Sequence, residues 1–307
     1  MINEKLNSTA MPKRPLSKIL GLTVKTGIIK SNLIPMFAGL TLSLFTYQEN
    51  LVSVYPNIVI AFIGTALVIA AAGAFNNLYD RDIDTIMKRT RTRPTVTGEI
   101  SGKTVLWLAI LLTILGVGIL TLANPLTGIL GFLGVFFYVV PYTMWSKRRT
   151  IWNTEIGSIS GAIPPLIGWA AIHPDITHPA IIGLFVVSII WQMPHFYAIA
   201  IKNHAEYEAA GVPMLPVVKG LKRTYIQTNV YLLILIAFSF LFGTLSLGLM
   251  LVALLLSIGW LGLSIYGSKN MDGKKWGKNM FIYSLIYMTV LFSTVIIYSL
   301  IGIFFLQ

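Results

Sequence analysis

The sequence predicts an all-α polytopic membrane protein, a bundle of about nine transmembrane helices enclosing a cytoplasm-facing active-site cavity. Three observations point there. Of the 307 residues, 55% are hydrophobic and only 11% charged, and the mean hydropathy is +0.76, whereas a soluble domain carries about 25% charged residues. Apolar runs long enough to span recur along the whole chain, a span needing roughly 20 residues. The cations fall on alternate loops only.

The elements follow in order. Residues 1–26 form a polar, basic cytoplasmic segment without a cleavable leader, and 27–307 form one transmembrane domain. Spans are expected near 27–47, 56–78, 104–123, 125–145, 153–172, 180–201, 226–246, 248–267 and 280–305. The fifth is the weakest, because Gly, Ser and two prolines interrupt it. With nine spans, Lys5 to Lys30, Arg81 to Lys103, Lys147 to Arg149, Lys202 to Arg223 and Lys269 to Lys278 all face one side and hold all 23 Lys and Arg. The opposite loops hold none. By the positive-inside rule the chain sits in the cell membrane with its N-terminus cytoplasmic and its C-terminus outside. The net charge of +12 is thereby a topological signal, and no nucleic-acid partner is expected. The chain has no cysteine, which excludes disulfides, thiolate metal sites and a cysteine nucleophile.

The polar chemistry sits in two inward stretches. The first, "NNLYDRDIDTIMKRTRTRP", follows an uncharged run. If the second span continues as a helix to residue 84, Asn76, Asp80 and Asp84 form one row, while Asp82 lies about 200° round from Asp80. Two carboxylates one turn apart at a helix C-terminus repel each other and the helix dipole. Arg81, Lys88 and Arg89 can compensate in part, and a divalent cation would do more. Carboxylate and amide oxygens without His or Cys suit Mg2+, which proteins hold with few ligands of their own and substrate phosphates for the rest. Arg89, Arg91 and Arg93 have the fork geometry that binds phosphate. The row thus reads as a diphosphate site whose ligand keeps an apolar tail in the bilayer, or as a solvated loop with local ion pairs. Lys147, Arg148 and Arg149 form a basic triplet of the kind that anchors a helix end at the lipid interface. Lys147 and Arg148 join Lys88, Arg89 and Arg93 as candidate diphosphate-binding residues. Tyr142 and Trp145, just before them, are interfacial aromatics or cation–π partners for a carbocation.

In the second stretch, Trp191 to Tyr207, Glu206 is the candidate that completes a metal set with Asn76, Asp80 and Asp84; these four are also the catalytic candidates. His195 sits in an apolar run, where an ionisable residue is a functional candidate. Imidazole is a common iron ligand, and the alternative is a hydrogen bond to a neighbouring helix. His173 and His178, on the opposite side, read as structural.

The first stretch resembles the aspartate-rich motif of the UbiA-type intramembrane prenyltransferases. With "WSKRRTIWNTEIGSISGAIPPLIGW", "WQMPHFYAIAIKNHAEYEAAGVPMLPVVKG" and the nine-span layout, the resemblance narrows to the branch that farnesylates protohaem. It covers most of the chain from the first span onward. It implies farnesyl diphosphate as donor, protohaem IX as acceptor, Mg2+ as cofactor and other membrane proteins of haem biosynthesis as partners. The diphosphate leaves, a haem vinyl group attacks the allylic cation, and water completes a hydroxyethylfarnesyl product. The motif falls on Asn76, Asp80 and Asp84, with Arg89, Thr90 and Arg93 after it. His195 matches the family's Pro-His-Phe, with Tyr197 beside it as a second haem-binding candidate, and Glu206 and Tyr207 precede the segment Ala210 to Pro216. One departure is Lys202, which stands four residues before Glu206 where the wider superfamily has a second acid. Rival readings are prenyl transfer to an aromatic quinone precursor, and a haem or lipid transporter.

Overall fold

The computed structural model describes residues 14–305, and every regular element among them is helical. That follows from the solvent. In hydrocarbon each backbone N–H and C=O must be satisfied within the segment, which a helix does.

A short helix, α1 (Leu16–Thr23), ends just before Lys25, whose left-handed backbone (φ 56°) turns the chain into α2 (Thr26–Tyr47). The Asn50 side chain accepts from the Val52 N–H at 2.9 Å and starts α3 (Leu51–Tyr79). Two short helices, α4 (Arg81–Ile86) and α5 (Pro94–Thr97), lead to α6 (Gly102–Thr121), capped by Ser101. Asn124 caps α7 (Pro125–Phe137), which runs on through wide π-helical turns, Tyr138–Trp145, that contain Pro141. Then come α8 (Asn153–Gly161), α9 (Ile163–Ile172) and α10 (Pro179–Lys202), the last capped by His178. The chain closes with α11 (His204–Ala209), α12 (Leu215–Ser239), α13 (Leu247–Asn270) and α14 (Gly273–Phe305).

Among the described residues eight helices are long and apolar enough to cross a membrane, and the chain is a multi-pass membrane protein. The expected fifth span, 153–172, is not among the eight: it is two half-helices parted at Ala162. Pro164 and Pro165 lack N–H groups and their rings clash with carbonyls one turn back, so the helix stops and restarts. The pair still links the two ends of the bundle. Arg148, just before it, meets the end of α3, and His173, just after it, stacks on Tyr47 at the end of α2 with ring centroids 3.5 Å apart. His173 and His178 therefore carry structural contacts, as expected. The expected seventh span, α12, begins earlier than expected, at Leu215, and breaks at Gly220, whose φ of 72° suits glycine.

α9 packs against α2 almost backbone to backbone. A Cβ on Gly39 would lie 2.1 Å from the Pro165 carbonyl oxygen, and one on Gly168 would lie 1.9 Å from that of Met36. Small residues permit this approach where no hydrophobic force drives helices together. At the basic end, α3 and α10 are each followed by a six-residue helix, α4 and α11. These bring the two polar stretches together.

Candidate active site

Asp80 stands at the junction of α3 and α4. The helical hydrogen bonds continue across it, from Asp80 N–H to Asn76 O and from Asp84 N–H to Asp80 O, both 2.9 Å. The expected row is therefore present: Asn76, Asp80 and Asp84 share a face, and all three are buried. Asn76 Nδ2 donates to Asp80 Oδ2 at 2.7 Å and to Thr143 Oγ1 at 3.0 Å.

The charges that balance this row come mostly from elsewhere in the chain. Lys147 Nζ donates to Asp80, Arg93 to Asp84, and Lys25 Nζ to the side-chain oxygen Oδ1 of Asn76. Arg81 and Lys88, expected to help, are exposed to the surroundings. Burial, with Arg93 and Lys147 nearby, holds the Lys25 ammonium well below the usual lysine range.

Two of the expected phosphate ligands are placed differently. Lys88 does not reach the cavity, and Arg148 grips Asp82 with both Nη atoms at 2.7 Å while stacking 4.8 Å over the Tyr79 ring. That grip lowers the Asp82 pKa and explains how an aspartate off the row is used. Arg89, Arg93 and Lys147 do line the cavity. The Arg89 guanidinium lies 5.5 Å over the Tyr207 ring and donates to its hydroxyl at 3.2 Å, joining the first polar stretch to the second. Burial raises the Tyr207 pKa, with Arg89 pulling it back.

Glu206 has a buried, unpartnered Oε2. It does not join the row here, since among the described residues no three Asp, Glu, His or Cys side chains converge closely enough to hold an ion. The row itself fits a hard cation: its donors are all oxygen, and the buried Asp80 Oδ1 has no hydrogen-bond partner.

The cavity measures about 480 Å3. Lys25, Asn76, Asp84, Arg93 and Lys147 form its polar end, and its other walls are mainly apolar side chains of α2, α3, α10 and α14. Tyr138 and Tyr142 also line it, and aromatic rings there are of the kind that can stabilise a cation.

His195 lines the same cavity. Its ring stacks on Trp191 with centroids 4.5 Å apart, and its Nδ1 is 2.7 Å from Ser284 Oγ. With that hydroxyl donating to Phe281 O at 2.6 Å, the histidine Nδ1 is the donor between them. The proton is thereby assigned to Nδ1, and Nε2 keeps its lone pair. His195 ties α10 to α14 and leaves Nε2 without a hydrogen-bond partner among the described residues. Tyr197 does not accompany it. Two residues on, it is turned about 200° away. It is fully buried and donates to Glu155, which Gln227 and Tyr231 also bond at 3.0 Å.

The model of the UbiA prenyltransferase family matches residues 32–286. The chain belongs to that family. It is 70% identical over 298 residues to protoheme IX farnesyltransferase 1 of Bacillus cytotoxicus, covering 97% of each chain. It is 63% identical to protoheme IX farnesyltransferase 2 of Lysinibacillus sphaericus over 98% of this chain and 96% of the relative. Among solved structures it resembles a digeranylgeranylglyceryl phosphate synthase, with a TM-score of 0.74 at 16% identity, covering 92% of this chain and 98% of that one. It also resembles a UbiA homologue from Archaeoglobus fulgidus bound to GPP and Mg2+, with a TM-score of 0.62 at 16% identity, covering 91% and 99%. This UbiA-family chain is thus a prenyltransferase, and its aspartate row lies in the helical bundle that the family shares.

Proposed function

We propose that this prenyltransferase moves the farnesyl group of farnesyl diphosphate onto a vinyl group of protohaem. The observation that carries this reading is a single cavity with two unlike ends. Asn76, Asp84, Lys25, Arg93 and Lys147 meet at one end, and His195 with its free Nε2 stands among aromatic and aliphatic side chains at the other. The high identity to protoheme IX farnesyltransferases supports the acceptor. The Mg2+ and GPP named for the Archaeoglobus fulgidus homologue support a metal-assisted prenyl diphosphate.

Asn76, Asp80 and Asp84 would hold Mg2+, which when bound neutralises charge on the leaving diphosphate. Lys147, Arg93 and Lys25 lie against the row and can turn to phosphate oxygens with a small swing of flexible side chains. Arg89 approaches from the Tyr207 side. The apolar wall receives the farnesyl chain and keeps bulk water from the allylic cation. Tyr138 and Tyr142 face that cation with negative ring faces. Arg148, held by Asp82, also lies 3.6 Å from Asp80 and so borders the row directly.

Incubation of the purified chain with labelled farnesyl diphosphate, haem and Mg2+ should transfer label to the haem fraction. Label moving only onto an aromatic quinone precursor would overturn the acceptor. We place the chain in the cell membrane with its basic end in the cytoplasm, since all its Lys and Arg share that side. Reporter fusions after Arg149 and after Gln307 should then report opposite sides; the same side for both would overturn this orientation.

A further inference from the structure

The cavity contains a second polar region that the reading above leaves unused. Gln192 lies on α10, ten residues before Lys202, hence about 15 Å in from the basic end of that helix. It is only 7% exposed and lines the cavity. Its Nε2 donates to Ser158 O at 3.0 Å and to Ser188 O at 2.8 Å, which consumes both amide hydrogens and fixes the carboxamide. The oxygen Oε1 is left with no donor among the described residues. It rests against Gly161, where a Cβ would come within 2.2 Å of it.

Ser160, next to Gly161, and Ser188, one turn before Gln192 on α10, also line the cavity. Each hydroxyl donates to a carbonyl of its own helix, Ser160 to Gly157 at 2.7 Å and Ser188 to Leu184 at 2.6 Å. Their hydrogens are committed and their lone pairs remain. The region therefore offers three oxygen acceptors and no free donor, deep in an otherwise apolar wall. A small group that donates two hydrogens fits, one to Gln192 Oε1 and one to either serine oxygen. Water is such a group, and a buried water needs two to four polar partners of this kind. Held by its hydrogens, it turns its own lone pairs into the cavity and becomes more nucleophilic.

We infer that Gln192, with Ser160 and Ser188, holds the water molecule that is added to the haem-side cation; this rests on the function proposed above. The bond changes balance. The C1–O bond of farnesyl diphosphate breaks and the pair leaves with the diphosphate. The vinyl π pair forms the C–C bond to farnesyl C1 and leaves a cation at the vinyl carbon beside the macrocycle. A lone pair of the held water forms the C–O bond there, and the surplus proton passes to the released diphosphate. If no water is in place, the same cation loses a proton instead, and the product is an alkene lighter by one water. Gln192 thereby decides between two products rather than only setting a rate.

The test is the product ratio, read by mass spectrometry of the haem fraction after reaction with farnesyl diphosphate. The unaltered chain should yield the hydroxylated product. Gln192→Leu should shift the ratio of alkene to alcohol by at least about tenfold. Gly161→Ala, whose new methyl displaces Oε1 while the carboxamide stays in the sequence, should move the ratio in the same direction. A role limited to tying α8 to α10 would lower both products together at constant ratio. A constant ratio in both folded variants therefore overturns this assignment and leaves the function standing. No farnesylated haem from the unaltered chain overturns both.

Discussion

Replacing Asp84 by Asn is expected to lower prenyl transfer by on the order of 10²–10³-fold, about 3–4 kcal/mol of transition-state stabilisation. Asp80→Asn should cost as much, while Asp82→Asn should keep most activity. The asymmetry follows from the turn between α3 and α4. Asp80 and Asp84 are buried on the face of Asn76, and each balances a cation, Lys147 and Arg93. The amide isosteres keep the shape and remove the charge. The row then loses its attraction for a divalent ion, and Lys147 or Arg93 faces the cavity without its counter-charge. Asp82 is 65% exposed and serves only the Arg148 grip. The measurement is turnover of labelled farnesyl diphosphate across a Mg2+ titration, at matched amounts of folded protein in detergent. Loss in the Asp80 and Asp84 variants should be accompanied by a higher Mg2+ requirement. Equal sensitivity of all three aspartates would refute the face assignment.

The legible parts of this site and the hidden parts differ in range. The spans were readable because the bilayer forces each crossing to be one continuous apolar run. The row Asn76–Asp80–Asp84 was readable because residues four apart share a helix face whatever surrounds them. Its counter-charges were not. Lys25 reaches Asn76 across 51 residues of sequence and Lys147 reaches Asp80 across 67. Lys25 looked like one more topological cation, and its left-handed turn leaves no signature in a non-glycine residue. Arg148 and Lys147 are neighbours in sequence, and both reach the buried Asp80, Arg148 from 3.6 Å while it grips the exposed Asp82. The same 200° rotation that sets Asp82 off the row sets Tyr197 off the face of His195 and out of the cavity. The broken fifth span was half visible in Pro164 and Pro165. Gln192 carried no signal of its own, because only packing against Gly161 shows that its amide hydrogens are used and its oxygen is free.

His195→Ala is expected to weaken haem binding by at least about tenfold, ~1.4 kcal/mol, while the response to farnesyl diphosphate and Mg2+ stays nearly unchanged. The separation follows from place. His195 lies seven residues before Lys202 on α10, about 10 Å in from the basic end and away from the aspartate row. Ser284 fixes the proton on Nδ1, so Nε2 offers a lone pair to a metal or to a donor. Trp191 stacks beneath the ring and Phe281 flanks it at 5.3 Å, which holds the imidazole in one plane. Ser284→Ala should reproduce part of the loss, since it frees the tautomer and the ring orientation without touching Nε2. If His195 served only to tie α10 to α14, the two variants would instead lower the yield of folded protein and affect both substrates alike. Titrating haem into each purified variant and following the Soret band separates the outcomes. An unaltered band and affinity in folded His195→Ala would remove this histidine from the acceptor site, and the haem would then have to be held by the cavity walls alone.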